Sequence, residues 1–90
     1  MLIRTQNQKG IINLDQVEAI FISEVSEKEF NIVANVNDGN YVLGKYTPEH
    51  QAIYVLDTII SEYMKSTMTG HGIRNLNTVY QMPEDWGITH

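Results

Sequence analysis

The chain has 90 residues, 42% of them hydrophobic, with six Lys and Arg against eleven Asp and Glu for a formal charge of −5. That length holds one small domain and leaves little room for a second, while the acidic balance argues against general nucleic-acid binding, which is driven by a basic surface. With no cysteine, disulfides, thiolate metal ligands and a thiol nucleophile are excluded, which fits a reducing compartment.

Residues 1–6 alternate weakly, as an edge strand does, and Asn7-Gln8-Lys9-Gly10 supplies a turn before Ile11 and Ile12, so a short hairpin is expected. After a bend at Asn13-Leu14-Asp15-Gln16, residues 17–25 are apolar or β-branched at most positions. Val17, Ala19, Phe21 and Val25 take one face and Ile20 and Ile22 the other, which predicts a central strand. Past the charged turn at Ser26-Glu27-Lys28-Glu29, Phe30, Ile32, Ala34 and Val36 alternate with asparagines, the pattern of a half-buried antiparallel strand. Asn37-Asp38-Gly39-Asn40 closes a hairpin onto a returning strand at 41–46, in which Gly44 marks a bulge or a close packing point against the helix.

Thr47-Pro48-Glu49-His50 starts a helix: Thr47 is suited to capping amides, Pro48 to the first turn and Glu49 to the positive end of the dipole. At 100° per residue, the apolar positions from Ala52 and Ile53 to Tyr63 and Met64 fill half the cylinder. His50, Gln51, Tyr54, Asp57, Thr58, Ser61 and Glu62 fill the other half. The helix spans about 18 residues, or roughly 27 Å. Residues 66–77 read as a flexible loop, 78–82 as a last strand ended by Pro83, and 84–90 as a tail that Trp86 clips to the domain.

Ile3-Arg4-Thr5-Gln6-Asn7, Asn13-Leu14, Val42-Leu43-Gly44-Lys45-Tyr46, the helix from Ala52 to Asp57, and Val79-Tyr80-Gln81-Met82-Pro83 together resemble a family of small uncharacterised proteins of Gram-positive bacteria and their phages or mobile elements. The resemblance covers most of the domain. It implies fold and origin and brings no activity or binding residues with it. Its pattern is shorter between helix and last strand, which points to residues 66–77 as the place of a function private to this chain.

His50, His71 and His90 fall in a helix start, a glycine loop and the terminus, without the spacing of a metal site. The serines lack a nucleophile-elbow context, and the carboxylates sit mostly in turns. A domain of one sheet and one helix has little volume for a protected cleft, so the chain reads as a non-enzyme without cofactor. Three readings of Gly70-His71-Gly72-Ile73-Arg74-Asn75 stand together: Arg74 with His71 and Asn75 grips a phosphate or an acidic protein surface, the segment is plain solvated loop, or Ile73 and Leu76 cross a subunit boundary. Tyr54, on the polar helix face, is placed against a partner, as tyrosine and arginine supply interface hot spots.

The expected fold is therefore α+β: one antiparallel sheet of four to five strands, one long amphipathic helix and a final short strand. A homo-oligomer is expected, because Ile20, Ile22 and Val33 need cover beyond one helix. The expected function is a non-catalytic interaction protein, of phage origin, that binds or occludes a host macromolecule. The alternative is an antidefence protein that sequesters a nucleotide signal through Arg74 and Arg4, with tyrosines stacking on the base. With no run of about 20 apolar residues and no leader pattern at the N-terminus, a cytoplasmic protein without a membrane partner is expected.

Overall fold

A computed structural model of the chain describes residues 1–37, 39–67 and 79–86. The fold is α+β, with two three-stranded sheets rather than one sheet of four to five strands. The first sheet has the order β2 (Ile11–Asn13), β1 (Leu2–Arg4), β6 (Val79–Gln81). The expected first hairpin forms, β1 pairing antiparallel with β2. The expected edge strand at the N-terminus is nevertheless central, because β6 adds parallel to its other side, Ile3 opposite Tyr80. The bend after β2 is a 3-10 turn, Leu14–Gln16, in which the Asn13 side chain accepts from the Asp15 amide.

The second sheet is a meander of β3 (Ala19–Ser26), β4 (Glu29–Val36) and β5 (Gly39–Tyr46). The strand with the cleanest alternation, β4, is therefore the central one, and β3, expected to be central, is an edge. Phe30, Ile32 and Ala34 point into the core, as their period predicts. Ile20 and Ile22 pack on that core, and Val33, on the opposite face, is 6% exposed between Phe21 and Val42. Val33 thus finds its cover within the chain, whereas Ile20 and Ile22 remain partly exposed.

Opposite Ile32 and Val33, the register of β5 jumps from Gly44 to Val42, with Leu43 the extra, buried residue of a bulge. The close packing at Gly44 is against the Tyr46 ring and not the helix: a Cβ there would stand 2.8 Å from Tyr46 Oη. Gln6 joins the two sheets. Its amide donates to Leu43 O, its Oε1 accepts from Lys45 N, and its Nε2 donates to Lys45 O and Pro83 O.

The helix α1 (Glu49–Thr67) begins where predicted and lies across the second sheet. Its buried side is Gln51, Ala52, Val55 and Ile59, whereas Ile53, Ile60 and Met64 are 47%, 51% and 52% exposed. Leu56 is half-buried, and His50, Asp57 and Ser61 face outward. The helix is thus rolled by roughly 70° from the centre of its apolar half. The cause is the chain after β6, which docks on the Gln51 side. An apolar arc half a cylinder wide exceeds what a three-stranded sheet covers.

Candidate functional site

The most built surface feature joins the first turns of α1 to residues 83–86. Tyr46, buried at the end of β5, donates its hydroxyl to Pro83 O at 2.8 Å. Thr47 does not cap the helix: its amide and its hydroxyl both donate to Asp85 Oδ2. Gln51 was expected on the polar face, yet it is fully buried. It donates from Nε2 to Glu84 O at 2.8 Å and accepts from the Trp86 amide at 2.7 Å. A primary amide is suited to this task, because it offers a donor and an acceptor side by side to one extended strand of backbone.

The outcome is an aromatic platform. The Trp86 ring lies 5.5 Å from Tyr54 and 6.0 Å from His50, tilted to each by 38° and 45°, in the range of favourable ring pairs. Trp86 and Tyr54 remain 57% exposed. The expected clip by Trp86 is therefore made by its backbone, and the indole is left presented to solvent. Tyr80 of β6, half-buried, stands beside this cluster; burial raises its phenol pKa first, then the proximity of Tyr54 and Glu62. The Tyr46 phenol is raised further, by burial and then by Tyr80 and Asp85.

Exposed carboxylates accompany the platform. Glu49 precedes His50, Asp57 follows Tyr54 by three residues on the outward helix face, and Glu84 lies two residues before Trp86. Among the described residues, no group of three or more His, Asp or Glu is placed to hold a metal ion. The platform offers ring faces, an imidazole and surrounding negative charge, which suits recognition of cations.

Of the residues expected to bind, Tyr54 is where the sequence placed it. Arg4 is exposed at the end of β1 and donates from Nε to Gln8 O, within its own hairpin. Arg74, His71 and Asn75 lie outside the described residues, as do Ile73 and Leu76. His50 and Gln51 were missed as site residues. The only signal for them was their position within about one helical turn of a Thr-Pro start, which says nothing of a tail 35 residues away.

Other concavities among the described residues include two with apolar walls. A groove of about 290 Å³ runs between Leu14, Val17 and Ile20 on one side and Ile60, Tyr63 and Met64 on the other. A cleft of about 510 Å³ lies between the sheets, lined by Ile11, Ile12, Val36, Tyr41 and Val42 among others. No helix among the described residues is long and apolar enough to cross a membrane. Comparison with protein-family models, with curated proteins and with solved structures finds no match.

Proposed function

We propose that this protein is a non-catalytic interaction module that recognises a basic segment of another protein through the His50–Tyr54–Trp86 platform. One observation carries the reading: a fully buried glutamine holds the backbone of an exposed tryptophan. Exposed indoles are costly in apolar hydration, and a domain that needed Trp86 only for stability would bury the ring and not its amide. Tryptophan and tyrosine fixed in advance lose little entropy on binding, which is what makes them interface anchors. A formal charge of −5 selects among partners. It repels phosphate-rich ligands and draws in arginine- and lysine-bearing segments, whose guanidinium or ammonium groups stack on the rings.

This reading keeps the expected function class and moves its centre from the arginine-bearing segment to the helix start. The nucleotide-sequestering alternative shares the stacking surface. It needs, in addition, a cationic group for the phosphate, and on the platform His50 is the only described candidate.

The test is a titration followed by the emission of the chain's single tryptophan. An arginine- and lysine-rich peptide of a dozen residues is compared with its charge-neutral analogue and with a panel of mono- and dinucleotides. The basic peptide quenches Trp86 with a salt-dependent affinity, and Tyr54→Ala weakens it about 30-fold or more, as for a hot-spot residue. Nucleotide binding at the same indole transfers the reading to the alternative. No quenching by any member of the set ends both.

A further inference from the structure

The long edge strand and the exposed flank of the helix share one side of the molecule. β3 is eight residues long and is the outer strand of its sheet; among the described residues no strand pairs with its outer edge. It contains no proline and no lysine, and its one ionic side chain is Glu24. Edges of this kind are templates for pairing unless charges, prolines, bulges or a covering element block them, and the one register irregularity of β3 is confined to its end, between Glu24 and Ser26. The opposite edge, β5, is by contrast engaged by Gln6.

On the β3 side the flank of α1 carries Ile53 and Ile60, each about half exposed, and Ile60 lies over the start of β3. The two are joined by the apolar groove between Leu14, Val17 and Ile20 and the C-terminal half of the helix. Strand and flank thus form one wall with backbone hydrogen-bonding groups along its base and aliphatic side chains along its top.

We propose that this wall is the interface of a two-fold homodimer. The β3 strands of two copies pair antiparallel to make a continuous six-stranded sheet, and the flanks of the two α1 helices pack against each other above it. A second copy is the occupant that fits, because an antiparallel strand pair and a helix pair are both self-complementary under one two-fold axis. Size agrees as well. Eight strand residues and 19 helix residues give a wall about 27 Å long and, with one sheet and one helix layer, about 20 Å high. Two copies then bury about 1,100 Å², just above the roughly 1,000 Å² expected of a specific interface. Against a partner of this kind, the net negative charge sets only a modest repulsion, since the wall itself carries few charges.

Sedimentation equilibrium of the full chain over about 1 to 100 µM tests the proposal. The parent protein sediments as a dimer in the upper part of this range. Ile60→Glu raises the dimer dissociation constant about 100-fold, because the axis repeats the substitution in both copies. Ile11→Glu, on the exposed edge of β2, leaves it unchanged, and far-ultraviolet circular dichroism verifies that both variants keep the fold. With no native cysteine, Ser23→Cys supplies a second readout: oxidation links copies through β3, whereas Asn40→Cys on β5 stays monomeric under denaturing electrophoresis. A parent that remains monomeric at 100 µM, or a folded Ile60→Glu that dimerises as the parent does, overturns the proposal.

Discussion

Replacing Gln51 by Met isolates what holds the platform. Methionine keeps the length and nearly the volume of the side chain, so the tightly packed site is neither emptied nor overfilled. What disappears is the pair of hydrogen bonds at 2.8 and 2.7 Å to Glu84 O and from the Trp86 amide. Neutral bonds of this kind contribute about 1 kcal/mol each, so docking of residues 84–86 loses about 2 kcal/mol, a factor of roughly 30 in its equilibrium constant. Remaining docked against a thioether would leave a carbonyl and an amide without partners at a cost of about 1–3 kcal/mol each, and detaching into water is the cheaper outcome. Tyr46 and Thr47 still hold Pro83 and Asp85, so the release is confined to the platform end. The emission maximum of the single indole moves to the red, acrylamide quenches it more strongly, and the Trp86 amide exchanges with deuterium about 30-fold faster. An exchange rate within threefold of the parent's, with unchanged emission, refutes the role given to Gln51.

Alkaline stability follows from the tyrosines. In the folded chain the Tyr46 and Tyr80 phenols are raised above their ordinary value near 10, by burial first. Their contribution is therefore complete below pH about 10 and is lost as pH rises beyond it, since the unfolded chain releases protons that the folded one retains. Urea midpoints fall from pH 9 to 11, and Tyr46→Phe flattens that slope while costing about 1 kcal/mol at pH 7 through the lost bond to Pro83. Gly44→Ala places a methyl group 2.8 Å from Tyr46 Oη; the buried ring must shift, at about 1–3 kcal/mol, measured as a lower thermal midpoint. Gln6→Ala removes three side-chain bonds that tie β5 and Pro83 to the first sheet, and chemical denaturation records a loss of about 2 kcal/mol.

The elements that the sequence made legible are those whose signal is local. The alternation of β4, the turn around Gly39 and the Thr-Pro-Glu helix start each depend on neighbours a few residues apart, and each element stands where it was expected. The division into two sheets was hidden because it rests on the parallel pairing of Leu2 with Val79 and Arg4 with Gln81. Strands of three residues offer too few positions for any period to announce them. The roll of α1 was hidden for a different reason. Periodicity tells which half of a helix can be buried, but the bonds from Gln51 to Glu84 and Trp86 decide which part of it is. Tyr54 was legible because an aromatic on a polar arc has few other places to go; Gln51 was not, because its partners lie more than 30 residues further along.

One helix thus serves three directions at once. Ala52, Val55 and Ile59 close the core, Ile53 and Ile60 face the β3 side, and His50 and Tyr54 carry the platform. Ile53 and Tyr54 are adjacent in sequence and therefore about 100° apart around the axis. Packing of the proposed dimer on the first leaves the second open. A dimer built in this way carries two platforms on one rigid sheet, so a partner with repeated basic segments is held by effective concentration as well as by each contact. The same geometry couples binding to folding. A cation seated on Trp86 is bound only while residues 84–86 are docked, so it strengthens their attachment to Gln51 and Thr47 and, through Tyr46, to the bulge at Gly44. By linkage, a change that loosens Tyr46 or Gln51 weakens the binding of such a partner in proportion to the fraction of chains it leaves undocked.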